Sequence, residues 1–475
     1  MGSVPRSRPN VTLAVVAIAG IAFGVLSSAV VPALPTIEHA LHASESGVGW
    51  ILTGYLLSAS VGTAIIGRFG DMYGKARVLV WTLALFAAGT LLAALSHSLA
   101  LLIAARIIQG VAGGIFPLSF GIVRDEFPRE KVAGSIGFLS AVLSIGAAIG
   151  IVAGAFIVEH LSWQWLFWMP LALIVVSAIG VSWFVPESPV RVPAKVNWPA
   201  AVLMSTGISA VLLAITKTTS WGWGSTRTIG LLGGGLAVCA LWVMVETRSS
   251  EPLIDMTMMR IRGVWTTNVA AFLLGAGMYG IFIVFPQFAQ LPKSTGFGFG
   301  ASPVKSGLYL LPFMAGTSSM SFSAGWIARR FGPRAGVIAG SAVTAAGFAQ
   351  ITFFHGHPYD MLLASTLLGI GIGLAYAPLG NLIIQAVPAS QTGAAGGVNT
   401  VMRTIGGALG GQLSATFIAG HMHGRYPTVT GFTDTFAMAT GFLVICTVGA
   451  ILIPHGRAAR RSAPDPERAF ALADD

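Results

Sequence analysis

The sequence predicts an all-α polytopic membrane protein with 14 transmembrane helices arranged 6+2+6. Three observations carry this expectation. Only 9% of the 475 residues are charged and 54% are hydrophobic, and the uncharged blocks are about 20 residues or longer, enough to cross a hydrocarbon core. The basic residues gather between alternate pairs of these blocks, the pattern that orients helices in a membrane. Short motifs also recur at one large offset, as in membrane chains built from two repeated halves.

The candidate spans are 11–33, 48–67, 78–97, 100–122, 133–157, 164–185, 199–216, 228–245, 264–288, 305–327, 335–354, 361–383, 394–419 and 434–454. Blocks 78–105 and 361–402 are too long for one crossing, so each holds one helix and the start of the next. The run 9–37 follows Arg6 and Arg8 and is too long for a signal-peptide core, so it is expected to stay as the first span. On this assignment one face collects twenty of the 27 Lys and Arg residues. The other face has five (Lys217, Arg227, Lys293, Lys305 and Arg425), and Arg106 and Arg403 fall within spans. Both termini are therefore expected in the cytoplasm, with the chain multi-pass in a cell inner (plasma) membrane. The excess of 21 Arg over 6 Lys hints at a GC-rich bacterial genome.

The same reading excludes several function classes. A net charge of +10 does not imply nucleic acid, because the basic residues sit in short clusters between apolar runs. Cys239 and Cys446 lie in apolar stretches without metal-ligand spacing, so neither a disulfide framework, a metal nor a cofactor is expected. No HExxH, paired Asp or Ser–His arrangement occurs in the spans, which argues against a membrane-embedded enzyme and leaves no catalytic residue to name. A receptor would need a large soluble domain, and the longest polar segment is the C-terminal 21 residues.

Repeats define the organisation. Gly67–Gly74 returns in weaker form at Gly325–Gly332, 258 residues later. Ser144–Gly150 returns at Thr404–Gly410 after 260, and Phe116-Pro-Leu at Ala377-Pro-Leu after 261. The offset exceeds a six-helix unit by two helices, so spans 7 and 8 read as an insertion. The expected units are an N-terminal six-helix bundle (1–185), a linker with two inserted helices (186–262), a C-terminal six-helix bundle (263–454) and a polar tail (455–475).

Several motifs carry chemistry. In Gly67-Arg-Phe-Gly-Asp-Met-Tyr-Gly-Lys-Ala-Arg77, between spans 2 and 3, Gly67 and Gly74 permit a tight turn and close helix approach. Asp71 can accept bonds from a helix N-terminus, and Lys75 and Arg77 follow. In span 4, Arg106 places a guanidinium roughly 10 Å deep, a functional feature by default unless the side chain snorkels outward. Gln109 and Gly110 follow it on the same helix. Gly146, Gly150 and Gly154 in span 5 make one helix face smooth enough for close packing. Arg403 is a second intramembrane charge, able to meet an anionic substrate or a backbone carbonyl. Eight of nine histidines fall on the less basic side in loops, without metal-pair spacing.

The 67–77 stretch resembles the signature loop of the major facilitator superfamily. The resemblance implies that Asp71 bonds to a helix start in the other half, here near Thr392 to Ala395 at span 13, and so latches one side shut. Its copy carries Arg329 where Asp71 stands, so an asymmetric latch is implied. Arg106-Ile-Ile-Gln109-Gly110 resembles the span-4 motif whose arginine is linked to proton coupling. The span-5 glycines resemble the antiport motif, except that Ile151 replaces its proline and Ala155 a later glycine. Trp163–Phe167 resembles the family's aromatic run before span 6, and also suits an interfacial anchor. Ala33-Leu-Pro-Thr-Ile37 resembles the end of the first-span motif of fourteen-span drug:proton antiporters, but Leu26 stands where those commonly have aspartate.

The resemblance implies a major facilitator fold and export of small amphipathic compounds by alternating access, coupled to protons, from a monomer in the bilayer. A metabolite importer of the same fold, symporter or uniporter, is the alternative. Trp50, Tyr55, Phe116, Tyr279, Phe285, Tyr309, Asn399 and Arg403 are candidates to line the cavity. No carboxylate maps to mid-membrane, so neutral or anionic substrates stand level with cationic ones.

Overall fold

In the computed structural model the described residues are 9–43, 45–188, 197–250, 252, 254–278, 280–424 and 426–454. The expected polar tail lies outside them, as do most of the basic linker residues.

Apolar composition and the absence of water as a bonding partner drive the chain into long helices, where every backbone group is satisfied internally. They are α1 (Pro9–Ala29), α2 (Glu45–Tyr73), α3 (Lys75–Ala94), α4 (Leu99–Glu126, with a 3-10 turn at Val111–Gly114), α5 (Arg129–His160), α6 (Trp165–Phe184), α7 (Trp198–Thr216) and α8 (Thr226–Arg248). Then come α9 (two stretches, Arg262–Met278 and Gly280–Gln290), α10 (Leu311–Phe331), α11 (Pro333–Phe353), α12 (Pro358–Gln385), α13 (Thr392–Gly420) and α14 (Val429–Ala450).

Eleven helices among the described residues are long and apolar enough to cross a membrane. The other three long segments are α9, α10 and α13. Both α10 and α13 are rich in Gly, Ser and Thr, which lowers hydropathy and permits close packing. A two-residue hairpin, Met422–His423 with Tyr426–Pro427, joins α13 to α14.

Two boundaries differ from the sequence reading. Span 2 was expected to end at residue 67, but α2 continues to Tyr73 and only Gly74, at φ 103°, breaks it. Gly67 and Asp71 therefore lie in the last helical turns rather than in a loop. Span 10 was expected over 305–327, but α10 starts at Leu311, with Pro312 in its first turn, and runs to Phe331 before Gly332 at φ 81°.

The helix contacts show a doubled plan. In the first half α1 packs on α5 and α6, α2 on α4, and α3 on α4 and α6. The second half repeats each pairing: α9 with α13 and α14, α10 with α12, α11 with α12 and α14. The halves meet along α2–α13 and α5–α10, two seams that the same repeat exchanges. Buried apolar residues form two cores, one mainly of the first half and one of the second. The inserted α7 and α8 pack on each other, and α7 also touches α2 and α13. Much of α8 stays exposed, Ile229, Leu236 and Met244 included.

Glycine sets the closest approaches. A Cβ on Gly146 would lie 2.8 Å from the Ile21 carbonyl oxygen, and one on Gly150 would strike Ser28 and Val25 of α1. Gly154 likewise abuts Ala29, and Ser28 donates to the Ala147 carbonyl at 2.8 Å. The repeat partners Gly406 and Gly410 press on Phe272 and Ala276 of α9. Gly150→Leu should therefore destabilise the protein by about 1–3 kcal/mol or more through overpacking. Gly234→Leu, with no neighbour within 4 Å on α8, should shift stability by less than about 0.5 kcal/mol. Thermal unfolding of the purified protein in detergent checks the contrast.

Candidate functional site

The end of the bundle that carries Arg68, Lys75, Arg77, Arg329 and Arg330 is the basic end, and here the halves touch. Gly67 of α2 meets Gly393 of α13 backbone to backbone, so a Cβ on either would collide with the other's carbonyl. One turn further along, Asp71 Oδ1 accepts from the Gly393 amide at 3.1 Å and Oδ2 from the Ala394 amide at 3.1 Å. The carboxylate thus caps the open N-terminus of α13, where amides and helix dipole favour negative charge. Gly397 continues the seam against Thr63 and Ala64, and Gly396 against Pro117 of α4. On the other seam, Gly137 abuts Ser321 and Gly325 abuts Gly134.

Neighbouring groups hold this end rigid. Lys75, fully buried, pairs with Asp125 at 2.6 Å, and Ser188 donates to the same carboxylate at 2.5 Å. Glu187 accepts from the amides of Ala76 and Arg77 at 3.2 and 3.1 Å and so caps α3. Gly74 is required at that point, because a Cβ would strike Glu187 and the backbone has positive φ. The Arg77 side chain itself is exposed. Arg124 crosses to the second half and donates to the carbonyls of Ile384 and Val387 at 2.8 and 3.1 Å and to Thr392 Oγ1 at 2.8 Å. Arg68 donates to the Pro252 carbonyl at 3.1 Å.

The turn between α12 and α13 is also tied to the linker, where Gln391 donates to Asp255 at 3.0 Å. Partial burial pushes the Asp255 carboxyl up, but bonds from the Thr257 hydroxyl and amide and from Gln391 outweigh it and hold it below the usual range.

Arg106 does not snorkel: it is fully buried in α4. Nη1 donates to Gln109 Oε1 at 2.6 Å, and the guanidinium lies 4.1 Å from the centre of the Tyr55 ring. Gln109 Nε2 donates to Thr90 Oγ1 at 3.2 Å. Gly110 lets α4 approach Tyr55, Ser58 and Ala59 of α2.

The cavity candidates separate into two groups. Phe116, Asn399 and Arg403 sit on α4 and α13, helices of opposite halves that meet at Pro117 and Gly396. Phe116 contacts Phe23 and Phe120 edge-on at centroid distances of 5.6 and 6.0 Å. Asn399 Nδ2 donates to Asn268 Oδ1 at 2.9 Å, and Arg403 lies 4.6 Å from the centre of the Tyr376 ring. The others are engaged elsewhere. Tyr55 is taken by Arg106, and Trp50 stacks under Lys217 at 5.0 Å near the far end of α2. Phe285 is buried against Phe436 at 5.7 Å, and Tyr309 packs near Phe299 and accepts at its carbonyl from Ser365. Tyr279 lies outside the described residues.

Sequence reasoning missed Arg124, Asp125, Glu187, Asn268 and Tyr376. Polar residues in otherwise apolar spans would have flagged Asn268 and Tyr376. No local signal joins Lys75 to Asp125, fifty residues away.

Two matched helical bundles, joined at one end by a glycine seam and a capping carboxylate, define a membrane transporter of the two-domain rocking class. The chain belongs to the Major Facilitator Superfamily, whose family model matches residues 16–411. It is 29% identical over 427 residues to the tetracenomycin C resistance and export protein of Streptomyces glaucescens, covering 89% of this chain and 78% of that one. To the puromycin resistance protein pur8 of Streptomyces alboniger it is 27% identical, over 90% of this chain and 87% of the other. The multidrug resistance protein Stp of Mycobacterium tuberculosis matches at 27%, over 93% and 76%. Among solved structures, the proton:xylose symporter XylE superposes with a TM-score of 0.68 at 14% identity, over 95% of this chain and 97% of that one. The human organic anion transporter MFSD10 gives 0.67 at 16%, over 94% and 100%.

Removing the cap should loosen the seam. Asp71→Ala costs about 0.5–2 kcal/mol of helix capping, a factor of roughly 2–30 in the closed population. In a Cys239→Ser, Cys446→Ser background, a cysteine at Thr400 should then react faster with a membrane-impermeant thiol reagent applied at the basic end. An unchanged rate would mean that the cap does not hold the seam.

Proposed function

We propose that the protein exports small amphipathic compounds from the cytoplasm by alternating access, driven by inward proton flow. The observation that carries this reading is the Asp71 cap on α13, placed beside the Gly67–Gly393 contact. Such a joint closes one end of the space between the halves and can be broken without unfolding either bundle, since it consists of two hydrogen bonds and a backbone contact. Export is supported by the relatives, which are named for resistance or export.

In this reading the basic end is cytoplasmic, all fourteen long helical segments cross an inner membrane, and the protein acts as a monomer. Residues 1–185 and 263–454 form the rocking bundles, with 186–262 as linker and inserted pair. The Lys and Arg bias of the loops supports that orientation. The glycine contacts of α5 with α1 keep the first bundle rigid while it rocks.

Arg106 is the coupling residue in this account. Its guanidinium is fully buried beside Gln109, Tyr55 and Thr90, so any change in its bonding is felt by α2 and α3. Transport, not catalysis, is the work proposed.

An efflux-deficient bacterial host tests this reading. Cells expressing the wild-type protein should accumulate less of at least some aromatic drugs or dyes than cells expressing Arg106→Ala, and collapse of the proton gradient should abolish the difference. Equal accumulation for every compound would contradict export, and a wild-type excess would favour the importer.

A further inference from the structure

We infer that the preferred substrates carry a negative charge on an aromatic framework, and that Arg403 stacked over Tyr376 receives that charge. This inference rests on the export reading and specifies the substrate class of the same site.

Among the described residues the Arg403 guanidinium makes no hydrogen bond or ion pair; its contact is the Tyr376 ring, 4.6 Å away. The side chain is half-buried, so its polar face remains reachable. Arg106, by contrast, is held by Gln109 and Tyr55. The two intramembrane arginines thus differ: Arg106 bonds Gln109 through Nη1, with its buried Nη2 unpartnered, whereas Arg403 has the ring contact alone.

Direction follows from helix geometry. Arg403 lies seven residues, or two turns, after Gly396 on the same face of α13, and a Cβ on Gly396 would lie 3.2 Å from Pro117 of the first half. Tyr376 lies one turn before Gly380 on α12, and a Cβ on Gly380 would lie 3.1 Å from Phe120. The stacked pair therefore stands just beyond the contacts that close the basic end, with the Arg403 backbone pressed on Gly275 of α9. Arg403 is 11 residues from the start of α13, roughly 16 Å along the axis, which is mid-membrane depth.

A free guanidinium at that depth is costly unless an anion or water completes its bonding. The surroundings select for an anion. Every described Asp or Glu in the long helices lies within six residues of a helix end, so nothing at this depth offsets the positive charge. One turn before Arg403, Asn399 bonds Asn268 of α9, whose own Nδ2 is buried without a partner and supplies a second donor. In the first half, half-buried Phe23 and Phe120 flank Phe116 and present aromatic edges and faces. An aromatic carboxylate, phenolate or sulfonate can stack on that wall while its charge meets Arg403.

Two xanthene dyes of opposite charge, fluorescein and rhodamine 6G, test the inference by fluorescence anisotropy on the full-length protein in nanodiscs. The wild-type protein should bind fluorescein more tightly than rhodamine 6G. Arg403→Gln should weaken fluorescein about tenfold or more, the scale of a lost charge-assisted bond, and leave rhodamine 6G within about twofold. Arg403→Lys should retain most of the fluorescein affinity, and Tyr376→Leu, which keeps the charge, should lose only part of it. Thermal unfolding of each variant separates a lost site from a lost fold. Tighter wild-type binding of rhodamine 6G, or equal losses for both dyes in Arg403→Gln, would overturn the inference. A clear anion preference without dye export from vesicles would sink the export reading and leave this one standing. Equal export of both dyes by wild type and Arg403→Gln would do the reverse.

Discussion

Two side-chain-free positions, Gly67 and Gly393, let the halves touch backbone to backbone, and the rest of the architecture depends on that contact. It brings the N-terminus of α13 within reach of Asp71, whose carboxylate accepts the Gly393 and Ala394 amides. Charge and fit act together. The glycines set the distance, and the carboxylate supplies an attraction that exists only at that distance. An interface made this way is strong enough to close and small enough to open. The larger glycine contacts inside each half, α1 on α5 and α9 on α13, bury continuous helix faces.

The repeat is close in packing and broken in chemistry. Each helix pairing of the first half has its counterpart in the second, and the two seams exchange under the same operation. Asp71, however, caps a helix across α2–α13, whereas Arg329 occupies its repeat position near α5–α10. The inserted α7 lies along α2 and α13, and Trp223 of the following turn donates to Thr416 of α13 at 2.8 Å. The seam with the charged cap is thus also the seam that the inserted helices brace. Arg106 and Arg403 divide in the same manner, one fully buried inside the first half and the other half-buried beside Tyr376 in the second.

Much of this was legible in the sequence for a physical reason. Helix positions follow from hydropathy, because lipid allows few alternatives to a helix. Gly146, Gly150 and Gly154 announced a smooth face by spacing alone, and Asp71 with its glycines announced a helix-capping contact. The end of α2 was misplaced because a Gly- and Asp-containing stretch reads as a turn, although the contact with α13 keeps it helical until Gly74. Aromatic residues were the least readable. Phe116 and Phe285 look alike in sequence, yet one packs on Phe23 of the first half and the other on Phe436 of the second, and such partners on other helices set their surroundings. Tyr376 and Asn268 escaped because each gains meaning only from a residue on another helix.

The central claim is that the two halves separate and rejoin at the basic end. Double electron–electron resonance between spin labels at Arg77 and Gln385, on either side of the α2–α13 joint, tests it most directly. The account predicts a short distance matching the closed form and a second, longer one, whose share grows when Asp71 is replaced by alanine. One short distance under every condition, unchanged by that substitution, would contradict it.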